Sequence, residues 1–392
     1  MTKNEWLNVL LNYSTAGNHY SLRGNYVLKR RFRTLSLLVL LMLCSILIGC
    51  STRYEKQVVI HCDAKQAYAG PILASFARQF PKDEFQVVKR SLLQSNLQEF
   101  LQSDDTSPAE KLEGDVVWDT DLLRTLKRQR EGLLLSRNWS IPRDWPSPFR
   151  ASDCTWVAFA ARARVLIIND QVGESVANPS SIFDLGAQQW KDTCGIASLS
   201  SSSVRVNLAI VASRCDFIKI DADHNQGIAS EKQSLDFEKW TEVLSQNVRI
   251  YEEESQLATA VVRGEIHWGV VDSDLAVAIR NRNPSVRIVF PDQTEGGFGT
   301  VLIPDTVSVM AAAKNPKVAG RLADFLVSDD VEARLTISDS ATIPLNPSPK
   351  ELSRLLKGLD VRWAEVKVND LVDAWDERVA RYTEKLRANG RD

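Results

Sequence analysis

Acidic side chains stand out wherever an apolar run ends. Asp272-Ser273-Asp274 closes the run Ile266–Val271, His61 and Asp63 sit where Gln57–His61 ends, and Asp119 and Asp121 follow Gly114–Trp118. Carboxylates are hard oxygen donors, and residues two apart on an extended segment face the same side, so Asp272 and Asp274 are placed to share one cation. Together these groups make an acidic cleft suited to a metal, with His61, Asp272 and Asp274 as candidate ligands, or to an amine-bearing cation. A plainer role is open to the same residues, since an aspartate after a strand often caps the next helix. The serines Ser198 and Ser200–Ser203 carry the opposite chemistry: hydroxyls and free N–H groups at a helix start hold anions. Ser200, Ser201 and Ser273 therefore join His61, Asp63, Asp119, Asp272 and Asp274 as candidate ligand-binding residues. Arg162 and Arg205 are available to add positive charge or to form surface pairs. Catalytic residues are not expected. No Gly-x-Ser-x-Gly elbow occurs, and Cys62 beside His61 points the opposite way along a strand.

Positioning these groups requires strands that alternate with helices. Short β-rich runs at Gln57–His61, Phe85–Lys89 and Gly114–Trp118 alternate with helical patterns at Tyr68–Phe80, Leu92–Leu101 and Leu122–Glu131, the last stopped by Gly132. That order predicts a mainly parallel α/β sheet. Thr155–Asn169 reads as two extended runs long enough to pass between lobes. A second α/β segment follows, with extended stretches at Gly195–Ser198, Ile266–Val271, Val286–Phe290 and Val301–Met310 and a helix from about Val204. Val318–Leu326, Asp330–Leu335 and most of Lys350–Arg387 are expected to be helical. The division expected is residues 57–160 with 290–345 as one discontinuous lobe, 161–289 as the second, and 346–392 as C-terminal helices.

The amino terminus reads as an address. A basic cluster, Lys29-Arg30-Arg31-Phe32-Arg33, precedes an uncharged apolar run from Leu35 to Gly49, too short for a spanning helix and laid out like a secretory signal. Leu47-Ile48-Gly49-Cys50 resembles the lipobox of bacterial lipoproteins, which implies cleavage before Cys50, lipidation of its sulfur and amine, and a linker over 50–56. About 340 residues remain, more than one ordinary core holds. Their compartment permits disulfides, and Cys62, Cys154, Cys194 and Cys215 allow three pairings, with Cys194–Cys215 the nearest in sequence. A net charge of −2 argues against a nucleic-acid partner.

Taken in order, Val58-Val59-Ile60-His61, Tyr68-Ala69-Gly70-Pro71-Ile72-Leu73, Gly114-Asp115-Val116-Val117-Trp118, Val261–Gly269, Pro291-Asp292-Gln293, Gly299-Thr300, Ile303-Pro304 and Ala341–Leu345 resemble the type II periplasmic-binding-protein superfamily. The nearest likeness is to the ferric-iron-binding branch of ABC importers. The resemblance implies two hinged α/β lobes with mixed, mainly parallel sheets, a solute held in the cleft, and an ABC permease and ATPase as partners. It also implies a monomer on the outer side of the membrane, no required cofactor, and a ferric ion as transported ligand. In that branch adjacent tyrosines follow the strand that matches Ile266–Val271, and here Asp272-Ser273-Asp274 stands instead. The departure opens an organic ligand, such as a polyamine, thiamine or an aminophosphonate, or a sensor role.

Overall fold

The computed structural model describes residues 57–79, 86–90, 114–172, 178–221, 232–338, 342–346, 355–356 and 358–382. The signal, Cys50, the expected helix Leu92–Leu101, His224 and the chain after Tyr382 lie outside the described residues. Gln57–Asp392 forms one compact unit.

Strands β1 (Gln57–Cys62), β2 (Gln86–Arg90) and β3 (Val116–Asp119) pair in parallel, with β1 central. Such strands are covered on both faces, which is why β3 is buried throughout and reads as an unbroken apolar run. Helix α1 (Gln66–Arg78) follows β1, and α2 (Leu122–Arg130) follows β3. Asp121 caps α2 by accepting the Leu123 N–H at 3.0 Å, and Gly132, at φ +69°, sits just past its end.

The pivot of the sheet is β4 (Trp156–Asn169), one continuous strand where two extended runs were expected. Its first part, Trp156–Ala163, pairs antiparallel with β11 (Leu302–Val309), which itself joins β3. From Arg164 onward β4 pairs with β9 (Trp268–Asp272) on one edge and β10 (Val286–Val289) on the other. The exchange of partners between Ala163 and Arg164 divides the sheet into two halves. Strand β5 (Cys194–Ala197) runs parallel to β9 and to β8 (Arg249–Tyr251) and completes the second half. Helices α3 (Ser202–Arg214), α4 (Phe237–Asn247), α5 (Glu254–Val262) and α6 (Ser273–Arg282) belong to it. Near the C-terminus α7 (Pro316–Leu326) and α8 (Asp329–Ile337) precede the short strand β12 (Ile343–Pro344), which pairs with β4 at Ala160 and Ala161.

Trp118, Trp156, Trp190 and Trp268 are fully buried, so these tryptophans serve the core. Two expectations are corrected. Residues 358–367 are not helical: Trp363 bridges Thr300, and helix begins with a 3-10 turn over Val368–Asp370, runs through Leu371–Ala374 and continues as a π turn over Trp375–Val379. The four cysteines are all free thiols, with Cys154 exposed and Cys62, Cys194 and Cys215 buried, so no Cys194–Cys215 disulfide forms.

Candidate functional site

The carboxyl ends of β1, β3 and β9 converge, and with them the aspartates that the sequence singles out. Asp119 ends β3, Asp63 follows β1, and Asp272 ends β9. Ligands in open α/β folds collect at such ends. Each carboxylate, however, already faces a cation. Arg124, on α2, bonds Asp63 and reaches Asp119 at 2.6 Å, while Arg128, one turn on, binds the other oxygen of Asp119. Burial opposes the Asp119 charge, yet the two guanidiniums outweigh it and hold the carboxyl below its usual range. Asp63 goes the other way, since burial raises it despite Arg124.

The second group gathers around β4. Arg164, 1% exposed, bonds Glu254 and meets Asp272 at 2.7 Å. Ser203, in the first turn of α3, donates to the other Asp272 oxygen at 2.7 Å, and Arg162 approaches that same oxygen at 3.3 Å. Burial works against charge on Asp272, but Arg162 and Arg164 keep it below the ordinary carboxylate range. Glu254 is pushed up by burial, with Arg164 opposing. Arg162 also lies 3.4 Å from Asp305 on β11 and donates to the Thr120 carbonyl at 3.2 Å. Two further pairs join the halves of the sheet: Arg205 of α3 meets Asp121 at 2.6 Å, and Lys65 meets Asp274.

Seven carboxylates thus confront six cations, and the cleft is close to neutral rather than acidic. Among the described residues no three His, Cys, Asp or Glu side chains form a group that could hold a metal ion, so His61, Asp272 and Asp274 do not assemble. Asp272 and Asp274 do not share the face of one extended segment, because the strand stops at Asp272 and Ser273 begins α6. His61 is buried, and its ring lies so close to Gly114 that a Cβ there would come within 2.5 Å of its Cδ2. Ser273 accepts the Ala163 N–H at 3.1 Å and is fully buried, a joint between β4 and α6. Ser200 bonds Ser198 at 2.6 Å and the Glu252 carbonyl at 3.2 Å, and Ser201 is the N-cap residue of α3.

Sequence reading missed Asp305, Arg124, Arg128, Arg164, Glu254 and Lys65. The first of these lies inside the apolar stretch Val301–Met310, where a lone aspartate two residues after Ile303 was the available signal. Two open cavities lie elsewhere. One of about 520 Å³ is lined by Cys215, Asp236 and Arg378, and one of about 440 Å³ by Gln129, Arg150 and Asn369.

The family model for bacterial extracellular solute-binding proteins matches residues 127–366. The chain belongs to that family. Solved structures agree on the fold. The ferric binding protein from Campylobacter jejuni is 19% identical with a TM-score of 0.67, over 83% of this chain and 98% of that one. A Trichodesmium IdiA/FutA protein in complex with iron and citrate ligands is 19% identical with a TM-score of 0.63, over 84% and 99%. Iron-bound HitA from Pseudomonas aeruginosa is 18% identical with a TM-score of 0.63, again over 84% and 99%. No curated protein sequence matches. This solute-binding protein therefore has the two-lobed architecture of periplasmic binding proteins. Membership carries a small ligand, ABC permease and ATPase partners and an extracytoplasmic location, and its family and fold are those of transport proteins rather than enzymes.

Proposed function

We propose that this protein is the lipid-anchored receptor of an ABC importer and that its solute is a small organic anion or zwitterion. The solute's acid group docks on Arg162 and the first turn of α3. The observation that carries this reading is the state of Arg162. Its bonds are long, at 3.2 to 3.4 Å, and among the described residues its buried Nε–H has no acceptor, as is also true of Arg124, Arg164 and Arg205. A guanidinium in that state gains a full charge-assisted bond from an incoming carboxylate or phosphonate. Ser203 reaches the same Asp272 oxygen as Arg162, so the unbonded N–H groups at the start of α3 lie next to it. A cation meets the reverse situation, since each carboxylate it needs is already paired. Arg124 and Lys65 each bond one oxygen of Asp63 and Asp274, so an ammonium on a zwitterionic solute would share one of these already paired carboxylates through its other oxygen.

Iron enters this reading as an anionic chelate. The Trichodesmium structure holds iron together with citrate, and a chelate presents carboxylates, the chemistry that Arg162 accepts. The lobes of this reading are residues 57–160 with 290–345 and residues 161–289, and the anchor is a lipidated Cys50.

The test is thermal unfolding of the Gln57–Asp392 unit with citrate, ferric citrate, 2-aminoethylphosphonate, thiamine and spermidine. A solute at 100 times its Kd stabilises by about 2.7 kcal/mol. An anion or zwitterion that raises the midpoint in wild type but not in Arg162→Gln supports the reading. A midpoint raised by spermidine or by uncomplexed ferric ion, and equally in Arg162→Gln, would falsify it.

A further inference from the structure

We infer that Asp305 is a positioning residue of the solute site, holding Arg162 against β11 and competing with the solute's acid group for the same guanidinium. The inference rests on the reading that an acid group docks on Arg162. Its geometric basis is separate. Asp305 is 4% exposed and lies where the β4–β11 register slips, between Asp305 and Thr306, so that Ala160 and Ala158 are matched and Phe159 is passed over. Such a slip re-aims side chains. Phe159 packs edge-on against Trp118 at 5.2 Å, and Trp118 Nε1 donates to Asp305 Oδ2 at 2.9 Å. One carboxyl oxygen of Asp305 is thus fixed by a buried indole, and the other looks at Arg162.

The two carboxylate partners of Arg162 are not equivalent. Asp272 has Arg164 and Ser203 as well, so it keeps its charge satisfied when Arg162 turns away. Asp305 has Arg162 as its only ion-pair partner among the described residues. Burial pushes the Asp305 carboxyl up to about 6, with Arg162 and the Trp118 bond opposing and Asp274 and Asp119 adding to the rise. The contact that a solute must replace is therefore the one to Asp305, and neutralising that side chain leaves Arg162 freer for the solute.

Asparagine suits the test because it keeps an acceptor for Trp118 while removing the charge. Binding of citrate and of 2-aminoethylphosphonate to the detergent-solubilised full-length protein is measured by calorimetry at pH 7.5, in wild type, Asp305→Asn and Arg162→Gln. Whichever probe binds wild type is expected to bind Asp305→Asn tighter by about tenfold, the size of one charge-assisted contact. A general structural lesion would weaken it instead, and equal or weaker binding overturns the inference. A measurement without solute separates the two claims. The Arg162 Nε–H resonance of the ¹⁵N-labelled protein should move in Asp305→Asn, and an unmoved resonance overturns the inference whatever the probes do. If neither probe binds either protein, the anion reading fails and takes the competition with it, and the resonance alone then decides whether Asp305 holds Arg162.

Discussion

Replacing Arg164 by methionine tests whether charge pairing or apolar packing holds the junction of β4 and β9. Arg164 is buried and reaches Asp272 at 2.7 Å, Glu254 and the Val270 carbonyl at 3.3 Å. Methionine fills much of the same space but leaves Glu254 with only the Asp272 N–H, at 2.9 Å. Breaking a buried pair by removing one partner costs about 3–5 kcal/mol. A unit of this size unfolds with an entropy of about 0.7 kcal/mol/K, so the midpoint should fall by roughly 4–7 °C. Circular dichroism at pH 7 reads this directly. The loss should persist in high salt, because buried charges are poorly screened. It should shrink on going to pH 5, because Glu254, which burial already raises, can take up a proton once Arg164 is gone. Adding Glu254→Gln and Asp272→Asn to Arg164→Met removes the orphaned charges and should recover more than half of the loss. A midpoint within about 1 °C of wild type in the single variant, or a triple variant less stable than the single one, would refute the reasoning.

Glu332, fully buried on α8, accepts the N–H groups of Leu345 and Asn346 at 2.8 and 2.7 Å, and burial pushes its carboxyl up to about 8. A carboxyl raised above its unfolded value of about 4.5 adds stability below that pH and loses it as pH rises through 8, so Glu332→Gln should flatten the fall in thermal midpoint between those limits. An unchanged pH profile in the variant would show that Glu332 does not titrate there. With Ellman's reagent, the native Gln57–Asp392 unit should titrate one thiol, the exposed Cys154, and the unfolded unit four. A count of two after unfolding without reductant would reveal a disulfide and contradict the free thiols.

The path of the chain was legible where local chemistry decides. Gly132 stops α2, Asp121 caps it, and the apolar runs at β1, β3, β9 and β11 are the strands expected. The site was less legible because its electrostatics join residues far apart in sequence. The partners of the singled-out aspartates lie 84 residues away for Arg205 and Asp121 and 108 for Arg164 and Asp272, and no local pattern ties them together. An aspartate read alone looks like an open ligand, whereas beside Arg124 or Arg164 it is half of a pair. Whether Asp272 and Asp274 share a face depends on where the strand ends, and because it ends at Asp272, Asp274 lies on a helix. The C-terminal segment misled for a different reason: its helical composition is overridden around Trp363 by the bridge to Thr300 and the Ala364 N–H bond to the Thr300 carbonyl at 2.9 Å.

The single strand β4 also orders events in time. The first half of the sheet needs β11 between β3 and β4, yet β11 is made only after β5, β8, β9 and β10. During synthesis or export, β1 to β3 emerge long before the strand that closes them, so this edge has to wait open. Unpaired strand edges are aggregation-prone while they last. A chain with this connectivity is therefore most vulnerable while half-delivered, and a chaperone that shields the edge of β3 until β11 arrives would raise its yield without altering the finished protein.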